Sequence, residues 1–275
     1  MNRWLDETSH KRDHKGDLQR LAWLIDHLPA FIDQISRDSM DEVMRIKESE
    51  GCAAATINSY LATVRSILNR AADEWGWLDK APKLRMRTLN NSVVEWITRE
   101  EADRLIAQLP PILGDMAEFS LQTGVRQSNC FHLEWSEVDL TAARAWISPD
   151  KAKGKKAYLV PLNDTALAIV RRYRERFSSF VFVDGNGTPR NFIDSKTWTR
   201  ACERAGIRRI RWHDLRHTWA TWHAMNGTGI SELMKLGGWS DIKMVLRYAH
   251  FADAHLEQLA KDRHGEMKPK FRVVA

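Results

Sequence analysis

A mainly helical chain carrying a small antiparallel β-sheet, an α+β arrangement in two domains, is what the sequence predicts. Three observations point there. Apolar residues return every three or four positions through Ile57, Leu61, Val64, Leu68, Ala71 and Trp75, which lines one stripe of a helix. Thr98 and Glu101 stand three apart just ahead of Leu105, Ile106 and Leu109, the pattern of a capped helix start. Between about Ala143 and Leu162 the pattern shortens to ARAWIS, DKAKGKK and AYLVPL, two strand-like runs around a Lys/Gly turn, which reads as a hairpin.

The first ninety residues read as a helical bundle, with Leu21, Leu24 and Leu28 giving a second apolar stripe. Arg65 and Arg70 lie off the main stripe and face either DNA or water. From about 78 to 94 the helical period lapses around Pro82, a basic run (Lys80, Lys83, Arg85, Arg87) and Asn90-Asn91. That composition predicts an interdomain linker. The second domain takes residues 95 to 275. Pro110-Pro111 closes its first helix, and Asn163 caps a helix over DTALAIVRRYRERF after the hairpin. FVFVDGNGTP reads as strand and turn; its Gly185–Gly187 pair is too short for a nucleotide loop. Helix continues to about residue 262. The tail ends in Phe271, Val273 and Val274, as a disordered end or a docking element.

Composition narrows the class. In 275 residues, 43% are apolar and 28% charged, which suits a globular protein. No run approaches the roughly eighteen apolar residues of a membrane helix, and the charged start MNRWLDETSHKRDHKGD lacks a signal-peptide core. A soluble, cytoplasmic protein is expected. Cys52, Cys130 and Cys202 are far apart with no CxxC pair, so neither a disulfide framework nor a four-cysteine zinc site is expected. Net charge is +6, concentrated in Lys151, Lys153, Lys155 and Lys156 and in Arg204, Arg208, Arg209, Arg211 and Arg216. Such clusters follow a phosphate backbone or simply face solvent.

Four segments hold groups suited to phosphodiester chemistry. Attack on a phosphodiester builds negative charge on its oxygens, so the catalyst needs fixed cations, a nucleophile and a proton for the leaving oxygen. Arginine suits the first task because its planar fork bonds two oxygens and stays charged. LQTGVRQSN supplies Arg126, KGKKAYLVPL places Lys153 in the hairpin turn, HDLRHTWAT places His213 and Arg216 on one helical face, and LGGWSDIKMVLRYAH carries Trp239 and Tyr248. H-D-L-R-H also imitates the H-E-x-x-H zinc helix, but Asp214 takes the glutamate position, Arg216 sits beside the metal position and no third ligand follows. No metal is expected there, and His217 is expected to be structural.

In this order and at these separations, the four segments resemble the catalytic domain of tyrosine recombinases, phage and prophage integrases in particular. The resemblance covers residues 95 to 255, and the helical region from 15 to 80 is similar to their core-binding domain. It implies a DNA-binding, helical N-terminal domain followed by a recombinase catalytic domain, of bacterial or phage origin. Carried over by motif, it makes Arg126 and Arg216 the grip on the scissile phosphate. Lys153 becomes the general acid for the 5′-oxygen, with Lys151 or Lys155 in its place if the hairpin register shifts. His213 assists proton transfer from the tyrosine, Trp239 donates an indole N–H to phosphate, and Tyr248 is the nucleophile that forms a 3′-phosphotyrosine. No cofactor is implied. Arg65, Lys83, Arg85, Arg87 and Lys155 are the candidate DNA contacts. The partners implied are double-stranded DNA with specific recombination sites, a homo-tetramer on DNA formed from monomers, and accessory DNA-bending proteins, with no membrane. Sequence readout would come from the N-terminal helices and from DNA shape.

Two departures stand out. Asn129 occupies a position that is often acidic in the family, and the chain begins almost at the core-binding helices, as a truncated or simple recombinase would. Two other readings remain open: a DNA-binding regulator with a decayed catalytic set, and a relaxing enzyme like the type IB topoisomerases.

Overall fold

The computed structural model describes residues 2–11, 13–89, 94–152, 154, 156–174 and 179–252. Two units divide the chain, Met1–Ser92 and Val93–Ala275, and each is built around its own core.

Among the described residues the first unit holds four α-helices: α1 (Asn2–Glu7), α2 (His14–Ile25), α3 (Arg37–Ser49) and α4 (Ala54–Asp73). α3 starts where the Ser36 hydroxyl accepts the Ser39 N–H at 3.1 Å, satisfying one of the donors a helix start leaves free. α4 is about 30 Å long at the usual rise per residue, and it buries Ile57, Leu61, Val64, Leu68 and Ala71. Trp75 falls just beyond it, half-buried, with its indole N–H on Glu7 at 3.3 Å. Glu7 also pairs with Arg70 at 2.7 Å, so Arg70 braces α4 against α1, whereas Arg65 stays exposed.

The segment expected to be a linker is in large part a strap on this unit. Leu84 is buried in the helical core. The Asn58 side chain accepts the Arg87 N–H at 2.6 Å and donates to the Arg87 carbonyl at 2.8 Å. Asn58 thus answers both main-chain groups of an extended residue, which free linker chain would leave to water. Residues 90–93 lie outside the described residues.

In the second unit α5 (Arg99–Ala107) starts as expected: Thr98 accepts from the Glu101 N–H at 3.2 Å and Glu101 accepts from the Thr98 N–H at 2.8 Å. The proline pair does more than stop this helix. Pro111 opens α6 (Pro111–Thr123), at a first-turn position whose N–H has no helical acceptor anyway. α7 (Gln127–Phe131) follows directly. The hairpin is present within a three-stranded antiparallel sheet of β1 (Val138–Asp139), β2 (Arg144–Ile147) and β3 (Tyr158–Pro161), with Ala145 opposite Val160 and Trp146 opposite Leu159. Ala145, Ile147 and Val160 point into the core, leaving Trp146 and Leu159 on the outer face.

Asn163 caps α8 (Asp164–Arg171) by accepting from the Ala166 N–H at 2.9 Å; the helix is shorter than its apolar pattern suggests. FVFVDGNGTP forms no paired strand, only isolated bridges (Glu134 with Phe180, Val183 with Pro189) around a turn held by the Asp184 carboxylate. α9 (Ser195–Arg204), α10 (Trp212–Met225), α11 (Ile230–Leu236) and α12 (Lys243–Leu246) complete the unit. α10 packs along α6, and Phe119, Phe131, Phe182, Trp212 and Leu215 fill the core nearby. Among the described residues, no helix is long and apolar enough to cross a membrane. The expected helix past 252 and the Phe271–Val274 patch lie outside the described residues.

Candidate active site

The site is assembled at the N-terminal half of α10. Asp214 terminates this helix start by accepting from the Arg211 N–H at 2.7 Å and from its guanidinium at 2.9 Å. That commits the carboxylate which the zinc-like pattern would need as a base. His213, Arg216 and His217, three and four apart, then share one face of the helix.

Arg216 is 3% exposed, and among the described residues no carboxylate pairs with it. Its Nη1 donates to the Gly124 carbonyl at 2.5 Å and its Nη2 to the Gly237 carbonyl. Its guanidinium lies over the Trp239 ring at 4.3 Å, a cation–π contact. Burial, and then the charge of Arg126, depress its pKa to about 10, with the Tyr158 hydroxyl among the groups opposing that shift. It therefore remains charged at neutral pH. The glycines explain themselves here. Gly124 closes α6 at φ +64°, and a Cβ there would meet the Trp219 ring at 2.2 Å. A Cβ on Gly237 would meet Trp239 at 2.1 Å.

Arg126 caps the short α7, and one of its guanidinium nitrogens is buried without a hydrogen-bond partner. Asn129 is 2% exposed and donates its amide N–H to the Tyr158 hydroxyl at 3.3 Å. The position that is often acidic in the resembled family is here part of a neutral pair behind Arg216.

Tyr248 stands just past α12 and is 2% exposed. Its hydroxyl shares a 2.5 Å hydrogen bond with His217 Nδ1. Burial pushes its pKa up to about 12, with Arg216 and Arg247 opposing. Trp239 lies beside it, ring centroids 5.9 Å apart. His217 is half-buried; burial, then His213 at 5.0 Å edge-on, lower its pKa to about 4. His213 opens to solvent at the rim, and loss of water on its inner side, with Arg216 near, lowers its pKa below the ordinary histidine value. A cavity of about 290 Å³ is lined by Arg126, His213, Arg216, His217, Trp239 and Tyr248.

Five of the six catalytic candidates therefore share one cavity. The sixth, Lys153, and the candidate DNA contact Lys155 lie outside the described residues. Lys151 is tied to Glu134 at 2.7 Å, Glu137 at 2.9 Å and the His132 carbonyl at 3.1 Å, so its ammonium is already engaged. In the first unit Arg65, Lys83 and Arg85 are exposed, while Arg87 is held by Asp41 at 2.7 Å and Glu48 at 2.6 Å. The residue that sequence reasoning passed over is His217. Its signal is present in H-D-L-R-H, four after His213, where rejection of the zinc pattern leaves it with the expectation of a structural role.

The chain has known relatives. The family model described as "Phage integrase family" matches residues 95–255. The integrase of Salmonella phage P22 is 34% identical over 298 aligned residues, covering 94% of this chain and 77% of that protein. The integrase of Escherichia phage 186 is 30% identical, over 79% of this chain and 62% of its own length. The tyrosine recombinase XerD of Oceanobacillus iheyensis is 25% identical, over 94% of this chain and 91% of its own. In fold, the Tn1549 transposon integrase in complex with a circular intermediate DNA superposes with a TM-score of 0.75 at 17% identity, covering 92% of this chain and 97% of that one. A match that runs from just before the Thr98 cap to just past Tyr248, beside a relative one-third identical along most of the chain, makes this protein a member of the phage integrase family.

Proposed function

We propose that the chain is a site-specific DNA recombinase of the integrase type, cutting and rejoining strands through Tyr248. One observation carries this reading: a buried, unpartnered nitrogen of Arg126 borders the same cavity as the carboxylate-free Arg216 and the Tyr248 hydroxyl. A buried donor without an acceptor is costly, and an oxygen of a phosphodiester would answer it. Two guanidinium groups then bind the non-bridging oxygens and stabilise the charge that grows on them, a task metal ions perform in other phosphoryl-transfer sites. His213 adds an imidazole at the rim. Lys153, which lies between β2 and β3 in the sequence, protonates the departing 5′-oxygen. Trp239 holds Arg216 by its ring face, a role distinct from the indole N–H contact expected from the sequence.

Duplex DNA is the partner this chemistry calls for, and several structural relatives were solved on DNA, among them a lambda integrase dimer bound to a COC′ core site. In this reading a homo-tetramer on two recombination sites, assisted by DNA-bending proteins, completes strand exchange. Size measurement with and without DNA tests that assembly. The decayed-regulator alternative is disfavoured by the polar set lining the cavity and by the partner that Asn129 finds in Tyr158. Against a purely relaxing enzyme stand the names of the relatives, integrases and recombinases.

The test is a nicked suicide duplex incubated with wild type and Tyr248→Phe, then run under denaturing conditions. A covalent adduct with wild type alone is expected. Adduct from the Phe variant, or none from wild type on DNA it binds, overturns the reading.

A further inference from the structure

His217 is one of the cavity groups to which the family resemblance gives no task, yet it alone among the described residues is hydrogen-bonded to the Tyr248 hydroxyl. His213, the expected helper, stands one ring further away, edge-on to His217 with centroids 5.0 Å apart. We infer that His217 is a catalytic residue: its Nδ1 takes the proton of the Tyr248 hydroxyl as that oxygen attacks the phosphate, and returns it when the strand is resealed. The inference rests on Tyr248 being the nucleophile.

Geometry meets the first requirement of a general base, because 2.5 Å is within hydrogen-bond reach of the proton to be moved. Charge state meets the second. Burial dominates the electrostatics of His217; His213, Arg211 and Arg247 also disfavour a proton there, while Asp214 favours one. The ring is consequently neutral near pH 7, with Nδ1 free to accept and the ring proton on Nε2. Tyr248 keeps its own proton, since burial outweighs Arg216 and Arg247.

Burial holds the phenol's proton on more firmly and the imidazole's affinity for one lower than usual, so transfer ahead of attack is disfavoured. Transfer must accompany bond formation. As the phenolic oxygen binds phosphorus it loses basicity, and the incoming phosphodiester charge raises the affinity of the neighbouring imidazole for a proton. The balance is complete. The tyrosine O–H bond breaks and Nδ1–H forms; the tyrosine oxygen–phosphorus bond forms as the phosphorus–5′-oxygen bond breaks, and that oxygen takes the proton of Lys153. On resealing, the 5′-hydroxyl attacks phosphorus and gives its proton back to Lys153, the phosphorus–tyrosine oxygen bond breaks, and the departing tyrosine oxygen recovers its proton from Nδ1.

The test uses the full chain and a nicked suicide duplex carrying the core sequence that the protein selects from a random pool. Two forms of the duplex are compared, one with the ordinary 5′-bridging oxygen and one with sulfur there. A thiol leaves readily and needs no acid, so the sulfur form isolates the nucleophile side of the reaction. His217→Ala is expected to form adduct about a hundredfold more slowly or worse, with the same deficit on both duplexes, and added imidazole should restore part of the rate. His217→Gln keeps a hydrogen-bonding side chain, so DNA affinity and melting midpoint should hold while cleavage stays slow. Rates within about threefold of wild type for the Gln variant, far short of what a general base contributes, would overturn the inference. So would a deficit that disappears on the sulfur duplex, or no rescue by imidazole. Failure of the nucleophile reading is separately visible, as adduct formed by Tyr248→Phe.

Discussion

The guanidinium of Arg216 rests 4.3 Å above the ring of Trp239, and that ring in turn stands 5.9 Å from Tyr248. One indole therefore locates both a phosphate-binding charge and the nucleophile. Trp239→Ala should lower stability by about 3 kcal/mol, as aromatic truncations do, and slow adduct formation about tenfold or more by freeing Arg216. Trp239→Phe keeps an aromatic face and should retain most of both. Chemical denaturation and single-turnover cleavage check the pair; an unimpaired Ala variant would remove Trp239 from the site.

Gly237→Ala should be worse than its one methyl suggests. The new Cβ would lie 2.1 Å from the Trp239 ring, so the ring or the loop must move, and the carbonyl that receives Arg216 moves with it. Overpacking of this kind costs about 1–3 kcal/mol. The expected result is a lowered melting midpoint with a larger loss of cleavage than of DNA binding.

Tyr158→Phe removes the hydroxyl that Asn129 bonds at 3.3 Å and leaves the buried amide unanswered, at about 1–3 kcal/mol. Asn129→Asp acts differently. A carboxylate behind the active-site arginine would raise the pKa of Arg216 and compete electrostatically with phosphate. DNA affinity should fall further for the Asp variant than for Tyr158→Phe, which takes from Arg216 only a neutral hydroxyl partner, measured by titration with labelled duplex.

Histidines that lose water on folding give stability a pH dependence with a defined sign. The pKa of His217 is about 4 when folded, below its ordinary value of 6.5, so between those values the unfolded chain binds the extra proton. Its contribution is intact above pH 6.5 and is lost as pH falls toward 4, by up to about 3 kcal/mol. His213 and His223 are shifted the same way. Denaturation midpoints should drop on going from about pH 7.5 to about pH 5, and His217→Asn should flatten part of that slope. A midpoint that rises on acidification would contradict the assigned burial.

The two hairpin lysines should separate cleanly. Lys151→Ala leaves Glu134 and Glu137 together without their shared cation and should cost about 1–2 kcal/mol of stability with little direct effect on chemistry. Lys153→Ala should slow cleavage about a hundredfold or more on oxygen-bridged DNA and recover on the sulfur-bridged form. If Lys151→Ala shows that pattern instead, the lysine assignment is reversed.

Local rules made much of this protein legible. Thr98, Asn163 and the Ile57–Ala71 stripe rely on contacts three or four residues away, which is the range that spacing reports. The His213–Arg216 pair was readable for the same reason. Longer-range partners were not. Asn58 strapping residue 87 to α4, and Asn129 meeting Tyr158, join residues 29 apart, and nothing in either neighbourhood announces the other. His217 was hidden in another way: its pattern was visible, but its partner lies 31 residues on, beyond a turn. The Phe180–Pro189 stretch misled because β-prone residues need a neighbouring edge to pair with, and here only single bridges form.

Arg216 is gripped by two peptide oxygens, those of residues 124 and 237. Every amino acid brings the same oxygen, so no codon change can delete either acceptor. Mutation can reach that grip only indirectly, by bulk added where hydrogen now stands or by a bend in the chain. The most consequential contacts of this enzyme are thus anonymous in its gene, which records them solely as a requirement for small residues at two places.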